Sequence, residues 1–179
     1  MDATTKGTLD AEVVVVVSNR AGAGGLDRAS SQGIPTLTIE SNGFSSRALF
    51  ESALADELVQ YQPDLIALAG FMHVLGPAFI HSFNERIVNI HPSLLPRFRG
   101  LNTHRRALQS GASQHGATVH FVTPELDDGP IIIQAEVSVN EDDTAETLAQ
   151  RVLAQEHVIY PRALQWIAQG KIDFHHPQP

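Results

Sequence analysis

The chain has 179 residues, no cysteine, a hydrophobic fraction of 42% and a net charge of −8. That fits a globular chain with one sizeable core, and it excludes a disulfide framework, a thiolate nucleophile and a Cys-based zinc site. The acidity argues against general affinity for nucleic acid or an anionic membrane, and no apolar run approaches membrane-spanning length.

Apolar β-branched runs alternate with helical patterns along the chain. "EVVVVVS" (Glu12 to Ser18) does not alternate in polarity, so it reads as a strand buried on both faces. "AGAGG" (Ala21 to Gly25) lacks the third glycine of a dinucleotide fingerprint, because position 27 is Asp27. It reads as a turn opening the short helix "GLDRASSQG". "TLTIE" is a strand, "SRALFESALADELVQY" an amphipathic helix left at Pro63, and "LIALAG" a second apolar strand ending on Gly70. "RIVNIH" is a third, breaking into the proline- and arginine-rich loop "PSLLPRFRG". "THRRALQSG" is a helix stopped by Gly111, followed by strands "ATVHFVT" and "IIIQAEVSV" joined through "PELDDGP". A last helix opens at Asp143 with Glu146 three residues on, a capping-box spacing, and runs towards Gly170 with Pro161 as a kink or break. Strand–helix alternation implies an α/β fold: a mostly parallel twisted sheet, helices on both faces, a closing antiparallel strand pair, and one domain over residues 1–179. Ligands of such sheets sit beyond the carboxyl ends of the strands.

In "RIVNIH", side-chain alternation puts Ile87, Asn89 and His91 on one face, with the two polar residues at the strand end. They read either as a pocket's amide and imidazole or as groups satisfying a strand end before a turn. "PELDDGP" reads as a solvated acidic turn, or as the source of a carboxylate that reaches His91 and favours its protonated form. Arg97, Arg99, Arg105 and Arg106 make a basic island in an acidic chain, a solvated loop or an anion-attracting lid. Glu156 falls inside the apolar stripe of Leu148, Val152 and Ile159, where a lone carboxylate is costly, so it lies at the rim or meets a polar ligand. Nine histidines show no H-E-x-x-H or other metal spacing, so no metal is expected. No G-x-S-x-G elbow supports a serine hydrolase.

"NIHPSLLPRFRG", with "THRRAL", "HGATVHFVTPELDDGPIIIQ" and "QEHVIYPRAL", resembles the phosphoribosylglycinamide formyltransferase family over almost the whole chain. The resemblance implies a Rossmann-like formyltransferase fold and a cytoplasmic enzyme of purine biosynthesis. Its reaction moves a formyl group from 10-formyltetrahydrofolate, the co-substrate, to the amine of glycinamide ribonucleotide. It implies Asn89, His91 and Asp127 as catalytic residues: an amide for the developing oxyanion, an imidazole that stabilises it and helps protonate the departing N10, and a carboxylate paired with the imidazole. Arg47, Met72, His73, Val74, Leu75, Asn89, Thr123, Pro124, Glu125, Leu126 and Asp127 match the folate pocket, and Gln155 and Glu156 the ribonucleotide side. His73 departs from the arginine common at its place. The resemblance also begins late: family members open with a further strand, a G-S-G-S-N type turn that binds phosphate, and a helix. "MDATTKGTLDAEV" resembles only the end of that helix. The expectation is a domain N-terminally truncated relative to the family, lacking its first strand and needing a rearranged or partner-completed sheet edge. Formyltetrahydrofolate deformylase, methionyl-tRNA formyltransferase and a non-catalytic folate-binding remnant are the alternatives. The Leu95–Pro96 isomer and the oligomeric state, a homo-oligomer included, stay open.

Overall fold

The computed structural model describes residues 1–84 and 86–179. In chain order these form α1 (Asp2–Thr5), β1 (Val16–Ser18), α2 (Gly24–Ser31), β2 (Thr36–Thr38), α3 (Arg47–Gln60), β3 (Ile66–Leu68) and α4 (Pro77–Ser82). They continue as β4 (Ile87–His91), α5 (Thr103–Gln109), β5 (Gln114–Phe121), β6 (Ile131–Ser138) and α6 (Ala145–Ala168). The class is the expected α/β fold, and β6 closes antiparallel on β5. β5 also runs antiparallel to β4, so the sheet is mixed. The strands fall into two pieces: β1 parallel to β2, and a sheet of order β3-β4-β5-β6 in which β3 is parallel to β4.

Alternation along β4 assigns the two faces. Ile87 enters a cluster with Phe50, Leu54 and Leu58 of α3 and Phe79 and Ile80 of α4. Val88 and Ile90 enter the other cluster, with Ala107 of α5 and Leu148, Val152, Ile159 and Ala163 of α6. Helices therefore cover both faces. Each fully buried Val or Leu contributes about 1.5–3 kcal/mol to holding them there. α4 carried no expectation; Gly76 caps it and Pro77 opens it, a placement that suits proline because the first-turn N–H needs no partner.

Three expectations change. The valine run is not buried on both faces: only its end is strand, and Val13 to Val17 are half-buried. Among the described residues β1 pairs only with β2, so one edge is uncovered, while Val15 and Val17 pack against the α3–α4 cluster. α6 runs unbroken through Pro161. The carbonyl that proline leaves unbonded is that of exposed His157, where water can take it. The cap of α6 is Thr144, whose hydroxyl accepts the Thr147 N–H at 3.2 Å while its own N–H donates to the Thr147 hydroxyl at 3.0 Å. Asp143 instead receives Arg151 at 2.7 and 2.8 Å and the Asn140 N–H at 2.8 Å, which hold its carboxyl below the usual carboxylate range.

Candidate active site

The site is built on the end of β4. Leu68 of β3 lies beside Asn89, so the Ala69–Gly76 segment leaves β3 next to the two polar residues. Antiparallel pairing puts His120 directly opposite Asn89 and Thr118 directly opposite His91. Opposed residues share a face, so four polar side chains gather on one side of two adjacent strands.

His120 is a residue that sequence reasoning missed. Its Nδ1–H donates to the Phe121 carbonyl at 2.8 Å, leaving Nε2 as an acceptor 3.3 Å from the Asn89 amide nitrogen. Burial, the largest cause, lowers its proton affinity and keeps the ring neutral, against smaller opposing pulls from the Phe121 carbonyl and Asp127. A neutral acceptor there fixes the Asn89 amide, with one N–H on His120 and the other free to donate. The available signal was the i, i+2 spacing of Thr118 and His120 in a strand whose other face is apolar.

His91 is buried. Its Nδ1 lies 3.4 Å from the Asp127 carboxylate and its Nε2 3.1 Å from the Phe98 carbonyl. Both ring nitrogens face acceptors, so only the doubly protonated ring donates to both at once. The acidic loop after β5 folds back over the sheet to bring Asp127 there. Its carboxylate, 10% exposed, also accepts the Gly100 N–H at 2.8 Å and lies 3.9 Å from His120 Nε2. Both acceptors on His91 come from residues with left-handed backbone, Phe98 at φ 58° and Asp127 at φ 49°. Such conformations cost of order 1–3 kcal/mol each and persist where surrounding contacts over-determine them. Gly129 lets the acidic loop return: a Cβ there would stand 1.8 Å from the Phe121 carbonyl. The Leu95–Pro96 bond is cis.

The other sequence-derived residues divide. Met72, Val74 and Leu126 are exposed apolar side chains, 70%, 44% and 50% accessible, on the loops after β3 and β5. His73 stacks beside Phe50 and Phe71 and reaches Ser41 Oγ at 3.4 Å. Leu75 has its side chain buried in the α3–α4 cluster, which leaves its backbone to line a pocket. Arg47 is exposed and lies 3.4 Å from Glu51, itself buried and accepting the Gly76 N–H at 2.9 Å. Thr123 donates to the Glu125 carbonyl at 3.3 Å, and Pro124 and Glu125 are exposed. The basic island is knitted into its own loop and to the acidic loop beside it. Arg99 pairs with Asp128, Arg106 donates to the Arg99 carbonyl, and Arg97 and Arg106 lie over the Phe98 ring. Gln155 and Glu156 are half-buried on α6. Desolvation pushes the Glu156 carboxyl up. Its face of the helix carries Tyr160 one turn on, whose hydroxyl donates to the Leu68 carbonyl at 2.7 Å.

A sequence model of the formyl transferase family matches residues 1–164. The chain is 46% identical over 175 residues to the phosphoribosylglycinamide formyltransferase of Escherichia coli (strain K12), covering 98% of this chain and 82% of that protein. It superposes on the crystal structure of glycinamide ribonucleotide transformylase 1 from Symbiobacterium toebii with a TM-score of 0.95 at 45% identity, over 99% of this chain and 84% of that one. A formyltetrahydrofolate deformylase from Pseudomonas syringae pv. tomato gives a TM-score of 0.90 at 26% identity, over 99% of this chain and 58% of the other. The extent of these matches, together with an amide, an imidazole and a carboxylate gathered at one strand end, makes this chain a member of the formyl transferase family.

Proposed function

We propose that the protein transfers a formyl group from 10-formyltetrahydrofolate to the amine of 5-phosphoribosylglycinamide. The observation that carries this reading is the Asn89–His91–Asp127 group, with His91 bracketed at 3.4 Å by Asp127 and at 3.1 Å by the Phe98 carbonyl. The substrate amine is itself the nucleophile, which accords with a chain without cysteine. The amine nitrogen bonds to the formyl carbon, and the carbonyl π pair moves to oxygen. The free Asn89 N–H donates to that oxyanion, a bond worth about 3–4 kcal/mol, and a protonated His91, held by Asp127 and the Phe98 carbonyl, supplies a neighbouring positive charge. Collapse re-forms the carbonyl and breaks the bond from the formyl carbon to N10. N10 takes a proton relayed through water from the His91–Asp127 pair, and the attacking nitrogen returns one to that pair, directly or through water. The exposed Met72, Val74 and Leu126 suit the flat apolar part of the folate, and half-buried Glu156 suits a polar group of the ribonucleotide.

The test is product formation by the purified chain supplied with both substrates. Formylated glycinamide ribonucleotide is the expected product. Release of formate without acceptor-dependent product would instead indicate a deformylase, and folate binding without turnover would indicate a non-catalytic folate-binding protein.

A further inference from the structure

Thr118, opposite His91 in the ladder, is fully buried, and its hydroxyl is saturated. A hydroxyl offers one donor and two acceptor directions. Here it donates to the Ser93 carbonyl at 2.7 Å, and it accepts from the Leu95 N–H at 3.1 Å and the Gln134 side-chain amide at 2.8 Å. Gln134 also donates to the Leu95 carbonyl at 3.0 Å. Ser93, likewise fully buried, donates its hydroxyl to the Arg97 carbonyl at 2.6 Å. That carbonyl belongs to the peptide from which left-handed Phe98 departs, and the next carbonyl is the one that meets His91. β5 itself lies close against this turn, because a Cβ on Gly116 would stand 2.8 Å from Leu94, as well as 2.0 Å from the Ala135 carbonyl of β6.

We propose that Thr118 is a positioning residue for the formyl transfer: its hydroxyl pins the turn from Pro92 to Phe98 and so holds the Phe98 carbonyl on Nε2 of His91. The assignment rests on His91 acting in the reaction proposed above. Valine at position 118 would keep the volume and the β-branch but leave the Leu95 N–H, in a buried residue, without an acceptor. The turn would then move to recover a bond, and a shift of about 1 Å near the reacting atoms can cost about a hundredfold in rate.

The experiment compares Thr118→Val with Thr118→Ser by steady-state kinetics and by NMR titration of the His91 ring without substrate. Thr118→Val should lower kcat about tenfold to a hundredfold, leave both KM values nearly unchanged, and shift the His91 titration. Thr118→Ser, which keeps the hydroxyl, should restore kcat and titration to nearly those of the parent. A Thr118→Val protein with parental kcat and parental His91 titration overturns the proposal, as do equal losses in the valine and serine variants. If the valine variant does not fold, Ser93→Ala, which frees the Arg97 carbonyl, takes its place, and parental behaviour there overturns it equally. Should the parent form no formylated product, the reaction proposal fails, while an unchanged His91 titration still counts separately against the pin.

Discussion

Acid should destabilise the protein through His115. This residue is 1% exposed, packed edge-on against Phe98 and against His104 of α5, whose Nδ1 lies 3.1 Å from its Nε2. Among the described residues its other nitrogen, Nδ1, meets no hydrogen-bond partner. Burial first, then the neighbouring His104, His91 and Arg97, push its pKa from 6.5 down to about 4, with the Pro92 carbonyl pulling weakly the other way. The native state keeps the ring neutral while the unfolded chain takes up a proton. Stability is therefore complete above about pH 6.5, falls as the pH drops towards 4, and loses no more from this group below that. A shift of that size, at 1.36 kcal/mol per unit, is worth on the order of 3 kcal/mol, a large share of the 5–15 kcal/mol typical of a domain. Urea unfolding from pH 8 to pH 4 for the parent and His115→Gln should show the parent losing more stability than the variant by about that amount. Parallel pH dependences in the two proteins would refute the reasoning.

Further outcomes follow from the same geometry. Asn89→Ala should lower kcat about a hundredfold or more while the fold survives, read by steady-state kinetics against circular dichroism. Glu156→Gln should raise KM for the ribonucleotide more than it lowers kcat if the residue binds the ribonucleotide as proposed; a pure kcat loss would count against that role. Tyr160→Phe removes the hydroxyl's bond to the Leu68 carbonyl and should cost about 1–2 kcal/mol in urea unfolding. Gly116→Ala places a methyl against the Ala135 carbonyl and should lower Tm, with a cost of about 1–3 kcal/mol or more.

The sequence carried the fold class because its elements keep their periods: β-branched runs for strands and the Leu148–Val152–Ile159 stripe for the last helix. Alternation in "RIVNIH" was enough to place Asn89 and His91 on one face, and the acidic turn was the right source for the carboxylate near His91. The residue doing so, Asp127, could be named only by resemblance, since three carboxylates share that turn and the choice depends on a left-handed backbone that no pattern announces. The i, i+2 spacing of Thr118 and His120 marked a polar strand face, but not that it lies opposite Asn89 and His91, because a residue's cross-strand partner is a matter of register, which lies between elements. The valine run misled because its composition describes a strand with neighbours on both sides, whereas among the described residues β1 has one. Pro161 misled because a proline's cost depends on whether the orphaned carbonyl can reach water.

The division of the strands into two sheets has a consequence for how the molecule opens. Among the described residues, no backbone ladder joins β1 and β2 to the β3–β6 sheet. Side-chain packing of Val15, Val17 and Ile39 and a bond from the Asp10 N–H to Gln165 tie that part to the rest. The β1–α2–β2 unit can therefore detach as one cooperative block while the β4–β5 ladder under Asn89 and His91 stays closed. Amide protons of β1 and β2 should exchange with solvent well before those of β4 and β5, and the two groups should merge only when the whole protein unfolds.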